Sequence, residues 1–193
     1  MTPLEAIYIA WIAWALSWFA AAVWADRAKV RPRFDVTILS RLLAMAGFLL
    51  LFGVRGHHGA ASDLPGRLWI TPLAAGWALF GLTVGSFVFC WWARLHLGRL
   101  WSGLITLKPD HRIVDTGPYG IVRHPIYTGI IAAAIWLGLL EGSAFSLTGA
   151  ALVAVGFWIT ARREETFLRQ QLGAAAYDDY RRRVPALIPF GPH

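Results

Sequence analysis

The chain has 193 residues, 57% of them hydrophobic and only 15% charged, where an ordinary soluble domain carries about 45–50% and about 25%. That balance sets aside a soluble globular protein and points to one membrane-embedded unit. The net charge of +7 lies in separate basic blocks between apolar runs, not on one cationic face, which argues against a nucleic-acid partner and reads as a topology signal.

Leu4 to Ala25 is an apolar run of about 22 residues, where about 20 cross a bilayer. A cleaved signal peptide would also end in small residues, as AAVWA does. No Lys or Arg precedes the run, however, whereas Arg27, Lys29, Arg31 and Arg33 follow it, so the segment is expected to stay as an anchor with its amino terminus outside. Val36 to Val54 is a second span, with Arg41 one turn from its start and able to snorkel to the interface. His57 and His58 read as loop residues, with no third ligand at helical spacing. Leu68 to about Ala93 is a third span. Its Cys90, the single cysteine, offers neither a disulfide nor a zinc site and reads as a packing residue, and no metal centre is expected.

The stretch from Leu107 to Gly129, LKPDHRIVDTGPYGIVRHPIYTG, is polar and basic, with two histidines, three prolines and three glycines. Ile126 to Leu140 and Ser143 to Thr160 follow as two apolar runs joined by Glu141-Gly142, a connection tight enough for an antiparallel helical hairpin. Small residues on both runs permit close helix approach. In this five-span reading the inside segments carry 15 Lys and Arg and the outside segments two, which places the amino terminus outside and the carboxyl terminus in the cytoplasm. From Arg162 the tail is amphipathic. Phe167, Leu168 and Leu172 form an apolar face, Gly173 ends that helix, and Tyr177, Tyr180 and Val184 resume the pattern, so the tail is expected to lie on the membrane or fold back over the central stretch.

Two clusters carry the chemistry. Pro125 suits the first turn of the fourth helix, which puts Arg123 and His124 at a helix amino terminus that attracts anions, with Tyr127 one turn in. Arg162-Arg163-Glu164-Glu165 sits where the fifth helix leaves the membrane. Read separately, these are a basic interface anchor and a solvated ion-pair group. A hairpin makes its two cytoplasmic ends neighbours, and that coincidence favours a site.

The ordered motifs GPYGIVRHPIYTG and EETFLRQQLGAAAYDDYRRRVPALIPF, separated by the hairpin, resemble the isoprenylcysteine carboxyl methyltransferase family, with the related phospholipid methyltransferases close behind. The resemblance covers roughly Leu97 to Phe190. Taken with the apolar runs, it gives an all-α integral membrane methyltransferase of five transmembrane helices, with a cytoplasmic cofactor-binding region and amphipathic carboxyl-terminal helices, where the family's eukaryotic enzymes have more transmembrane helices. From its length the chain reads as a single domain of residues 1–193, in which 1–93 supply three helices and 94–193 the catalytic region. S-adenosyl-L-methionine is the implied methyl donor. His111, Arg112, Ile113, Val114 and Tyr119 are expected to line one side of its pocket and Arg123, His124, Pro125, Ile126 and Tyr127 another, with Glu164 or Glu165 completing it. Arg162, Arg163 and Glu165 are the expected catalytic group, one arginine orienting the substrate.

The residue types suit that donor, because a carboxylate, an ammonium and a sulfonium need partners of both signs. A carboxylate acceptor needs no base at neutral pH, whereas an amine does, and both acceptor classes stay open at this point. Apolar walls imply a lipophilic substrate entering from the bilayer. A sterol-type reductase using a nicotinamide cofactor and a non-enzymatic membrane protein are the competing classes.

Overall fold

The computed structural model describes residues 1–21, 38–53, 66–98 and 113–191. It is built of α1 (Pro3–Ala21), α2 (Ile38–Gly53), α3 (Leu73–Leu97), the single turn α4 (Pro118–Ile121), α5 (Pro125–Glu141), α6 (Ala144–Leu172) and α7 (Ala174–Arg183), with no strand among the described residues. Of these, α1, α3 and α6 are long and apolar enough to cross a membrane at 19, 25 and 29 residues. Two shorter apolar helices, α2 and α5, have 16 and 17 residues. The helices start and stop where local chemistry dictates. Thr2 and Glu5 form a reciprocal capping box at the start of α1, through hydrogen bonds of 2.8 and 3.2 Å. The Ser143 hydroxyl caps α6 by accepting from the Ser146 amide. Pro125 occupies the first turn of α5.

Three boundaries differ from expectation. The third helix begins at Leu73, because residues 67–69 pair with the α5–α6 turn: Arg67 bridges Ser143, and the Leu68 amide donates to the Gly142 carbonyl at 2.7 Å. That helix also continues past Ala93. Arg94, counted in the sequence as a loop charge, is buried in its last turn and donates to the carbonyls of Gly98 and Ala21 at 2.7 and 3.0 Å. Those terminal carbonyls carry the negative ends of α3 and α1, so a guanidinium between them is favoured. The fifth helix does not stop at Thr160 but carries Arg162–Glu165 on the same rigid rod as far as Leu172.

Close contacts fix the helix directions. Gly76 of α3 meets Pro3 and Leu140, while Gly129 of α5 approaches Cys90 and Ser86. Gly47 of α2 lies against Gly149 and Val153, and Gly156 against Ser40 and Ala44. Thus α1, α3 and α6 run one way and α2 and α5 the other. The small residues expected to close the hairpin on itself mostly serve its neighbours. Gly138 faces Ser146 and Ala150 across the hairpin, but Gly129 meets α3, and Gly149 and Gly156 meet α2. With no side chain, each lets two backbones approach closely enough for dispersion contacts to accumulate.

The core between these helices is largely aromatic, with Trp11 of α1 packed edge-on against Phe48, Phe52 and Phe87. At the α5–α6 turn, buried Glu141 accepts from the hydroxyls of Tyr8 and Ser146, and Gly142 adopts the left-handed conformation (φ 63°). At the opposite end, α7 folds back over residues 113–124. Tyr177, Tyr180 and Val184 form a second small core with Ile113 and Leu168.

Candidate active site at the joined ends of α5 and α6

Residues 122–124 leave α4 extended and enter α5 at Pro125, so His124 stands at the N-cap with φ −125° and ψ 62°. A strap from the carboxyl-terminal segment holds this entry. The amides of Arg123 and His124 donate to the carbonyls of Pro185 and Ala186 at 2.8 and 3.1 Å, and the Thr128 hydroxyl donates to Leu187 at 2.6 Å. Tyr180 adds a hydrogen bond to the Tyr119 carbonyl at 2.7 Å.

The α6 glutamates meet this entry. Glu165 Oε1 accepts from Arg123 Nε at 2.8 Å and lies 3.2 Å from His124 Nε2. Glu164 Oε2 accepts from the Tyr127 hydroxyl at 2.8 Å and lies 3.6 Å from His124 Nδ1. The imidazole is therefore held between two carboxylates, and it stacks on the Tyr127 ring at 5.4 Å and 5°. Arg123 Nη1 donates to the carbonyls of Arg181 and Val184, while Arg181 Nε stands 3.7 Å from the second oxygen of Glu165.

Burial alone raises the pKa of Glu165, but hydrogen bonds and charge from His124 and Arg123 outweigh it and hold the carboxyl at about 2. At Tyr119 and Tyr177, burial first and the glutamate charges second push the phenols well up. They remain neutral.

Comparison with known proteins bears on what this cage is for. The model of the isoprenylcysteine carboxyl methyltransferase family matches residues 79–170, which hold Arg123, His124, Tyr127, Glu164 and Glu165. Over those residues the chain is similar to this family. Among curated relatives it is 34% identical over 105 residues to the protein-S-isoprenylcysteine O-methyltransferase of Schizosaccharomyces pombe, covering 52% of this chain and 43% of that one. It is 33% identical over 103 residues to protein-S-isoprenylcysteine O-methyltransferase B of Arabidopsis thaliana, covering 51% of each. It is also 30% identical over 126 residues to the nickel-cobalt-cadmium resistance protein NccN of Alcaligenes xylosoxydans xylosoxydans, covering 63% of this chain and 52% of that one. The chain spans about half the length of the curated relatives it matches.

The residues expected at the site part into groups. Arg123, His124, Tyr127, Glu164 and Glu165 come together, with buried Tyr119 alongside. Pro125 starts α5, and Ile126 turns towards the main core, where its carbonyl accepts from the Cys90 thiol at 3.4 Å. Ile113 packs under α7 and Val114 is half-buried beside it in sequence. His111 and Arg112 lie outside the described residues. Arg162 and Arg163 are both exposed, and of the two Arg162 lines a cavity on the far side of Glu165.

Sequence reasoning missed Arg181 and the strap 184–187. Both lie beyond the matched residues, and the strap binds through main-chain carbonyls, which no side-chain pattern announces. The Tyr177, Tyr180, Val184 spacing was legible as an apolar face that would lie on the membrane or fold back over the central stretch, and in the fold these residues pack with Ile113 and Leu168.

Proposed function

We propose that this chain transfers a methyl group from S-adenosyl-L-methionine to a lipophilic acceptor, by carboxyl O-methylation of an isoprenylcysteine-like thioether acid. The observation that carries this reading is the junction of His124 and Glu165 at 3.2 Å, where two helix ends meet inside the family-matched region.

The residues present fit the donor. The Glu164 and Glu165 carboxylates suit an ammonium or ribose hydroxyls. Arg123 Nη2, buried and without a hydrogen-bond partner, suits a carboxylate. When bound, the donor supplies an electrophilic methyl on a positively charged sulfur. The protein's task is then to hold two reactants in line, for which positioning contributes about 7–11 kcal/mol, and to keep water away. Arg162 or Arg163 orients the acceptor's carboxylate. Glu165, held at about pKa 2, is a poor base near neutral pH. A carboxyl acceptor is already ionised at neutral pH and needs no base, whereas a phospholipid amino headgroup must lose a proton, and the proposed acceptor is the first.

The antiparallel order of α1, α2, α3, α5 and α6 supports five crossings, and the bias of basic residues puts the amino terminus outside and the cage on the cytoplasmic side, the whole chain acting as one unit. The names of two relatives concern metal resistance. Among the described residues, no group of three or more His, Cys, Asp or Glu side chains is arranged to hold a metal ion.

The test is donor binding by the purified protein and by Glu164→Ala/Glu165→Ala. Titration calorimetry is expected to show binding in the first and none in the second. Unchanged binding in the double variant would overturn the assignment. Base-labile release of a labelled methyl group from the product would mark an ester, and base-stable label an amine.

A further inference from the structure

Beyond the cage, the angle between α6 and α7 encloses a polar cavity of about 310 Å³ lined by Arg162, Glu165, Thr166, Arg169, Gln170 and Arg181. Its charges do not balance. Arg169 is spent on Asp178 through a bidentate pair, Nε to Oδ1 and Nη2 to Oδ2, each at 2.8 Å, and Glu165 is already shared by Arg123 and His124. Arg181 stands beyond hydrogen-bond reach of both carboxylates, at 3.7 Å from Glu165 and 3.8 Å from Asp178, and its Nε is buried with no hydrogen-bond acceptor. Arg162 has no ion pair among the described residues.

We propose that this cavity binds a phosphate-class anion, as a phospholipid headgroup or as free phosphate, between Arg162 and Arg181. Guanidinium donors converge on it from two helices. Such donors match a tetrahedral group with several acceptor oxygens better than a planar carboxylate, which presents two. The implied methyl donor carries no phosphate, so the cavity is not a second description of the cage. The lipid source rests on the membrane placement proposed above. Arg162 and Glu165 follow Ala161 by at most about 6 Å along the helix axis, a rise that stays within a headgroup layer of about 5–8 Å. Glu165 forms the wall between cage and cavity, one oxygen facing each.

The experiment is native mass spectrometry of the full chain released from detergent micelles with equal phosphatidylglycerol and phosphatidylcholine, beside thermal melting with inorganic phosphate. The wild type is expected to retain one phosphatidylglycerol at least tenfold over phosphatidylcholine. Arg181→Gln and Gln170→Glu, the latter placing a carboxylate in the exposed mouth, lose that preference. Arg182→Gln, which removes the same charge from a side chain 69% exposed, keeps it. Stabilisation by inorganic phosphate without lipid retention, lost in the same two variants, identifies the source as free phosphate. Equal retention of both lipids with no phosphate response overturns the proposal. So does an equal loss in Arg182→Gln, which would mean diffuse attraction, or displacement of the lipid by an S-farnesylcysteine derivative, which would give the cavity to the acceptor. Donor binding is read in the same samples, so failure here leaves the donor cage separately judged.

Discussion

At the scale of single residues, Glu165 carries the greatest share of the site's electrostatics, since Arg123, His124 and Arg181 all address one carboxylate. Removing one partner of a buried ion pair leaves the others uncompensated, and costs about 3–5 kcal/mol. The pH dependence follows from the direction of its shift. A carboxyl held at about 2 against an ordinary value of 4.5 contributes stability that is fully present above 4.5 and is lost as pH falls towards 2. Thermal unfolding in detergent is therefore expected to show Glu165→Gln less stable than wild type at pH 6, with the gap narrowing as pH falls from 4.5 towards 2. A gap of constant size would refute the linkage. His124, Tyr127 and the two glutamates were all legible as candidates, because proline at a first helical turn and paired carboxylates at a helix exit are local signals. Which glutamate takes which partner was not, because Glu164 and Glu165 differ only by the 100° a helix turns between neighbours.

At the scale of helices, the bundle rests on glycines where two backbones nearly touch. A Cβ on Gly129 would lie 2.4 Å from the Cys90 sulfur and 2.7 Å from the Ser86 carbonyl, and one on Gly47 would lie 2.6 Å from the Gly149 carbonyl. Neither neighbour can yield, since the nearest atoms include helix backbone. Gly129→Val and Gly47→Val are each expected to destabilise by about 1–3 kcal/mol, the range for overpacking, whereas Gly85→Val, with open space around it, is expected to be near neutral. Melting temperatures in one detergent, compared across the three, check the ranking. The hydrophobic runs announced the helices, but not that α2 would pack along α6. Partner choice depends on the shape of two faces, and a run apolar all round carries no marked face.

At the scale of the whole molecule, the carboxyl-terminal segment closes the site. Residues 184–187 supply four carbonyls to Arg123, His124 and Thr128, and Arg123 is the group that holds Glu165. A chain ending at Arg183 is expected to keep its helical circular dichroism and to lose donor affinity at least tenfold. Full affinity in the truncated chain would show the strap to be dispensable. Length, apolar runs and the asymmetric placement of basic residues were enough to establish a helical membrane-type chain with a polar centre, because those properties reflect transfer of whole segments between water and hydrocarbon and add up along the sequence. The motifs around His124 and Glu165 were enough to point to the family whose model matches residues 79–170. Only the folded molecule decided that Arg94 is buried between two helix ends, that Arg162 and Arg163 have different surroundings, and that a main-chain strap braces the cage. Each of these depends on contacts between residues about 20 to 80 positions apart, where direction and distance are set by packing and leave no periodic trace in the sequence.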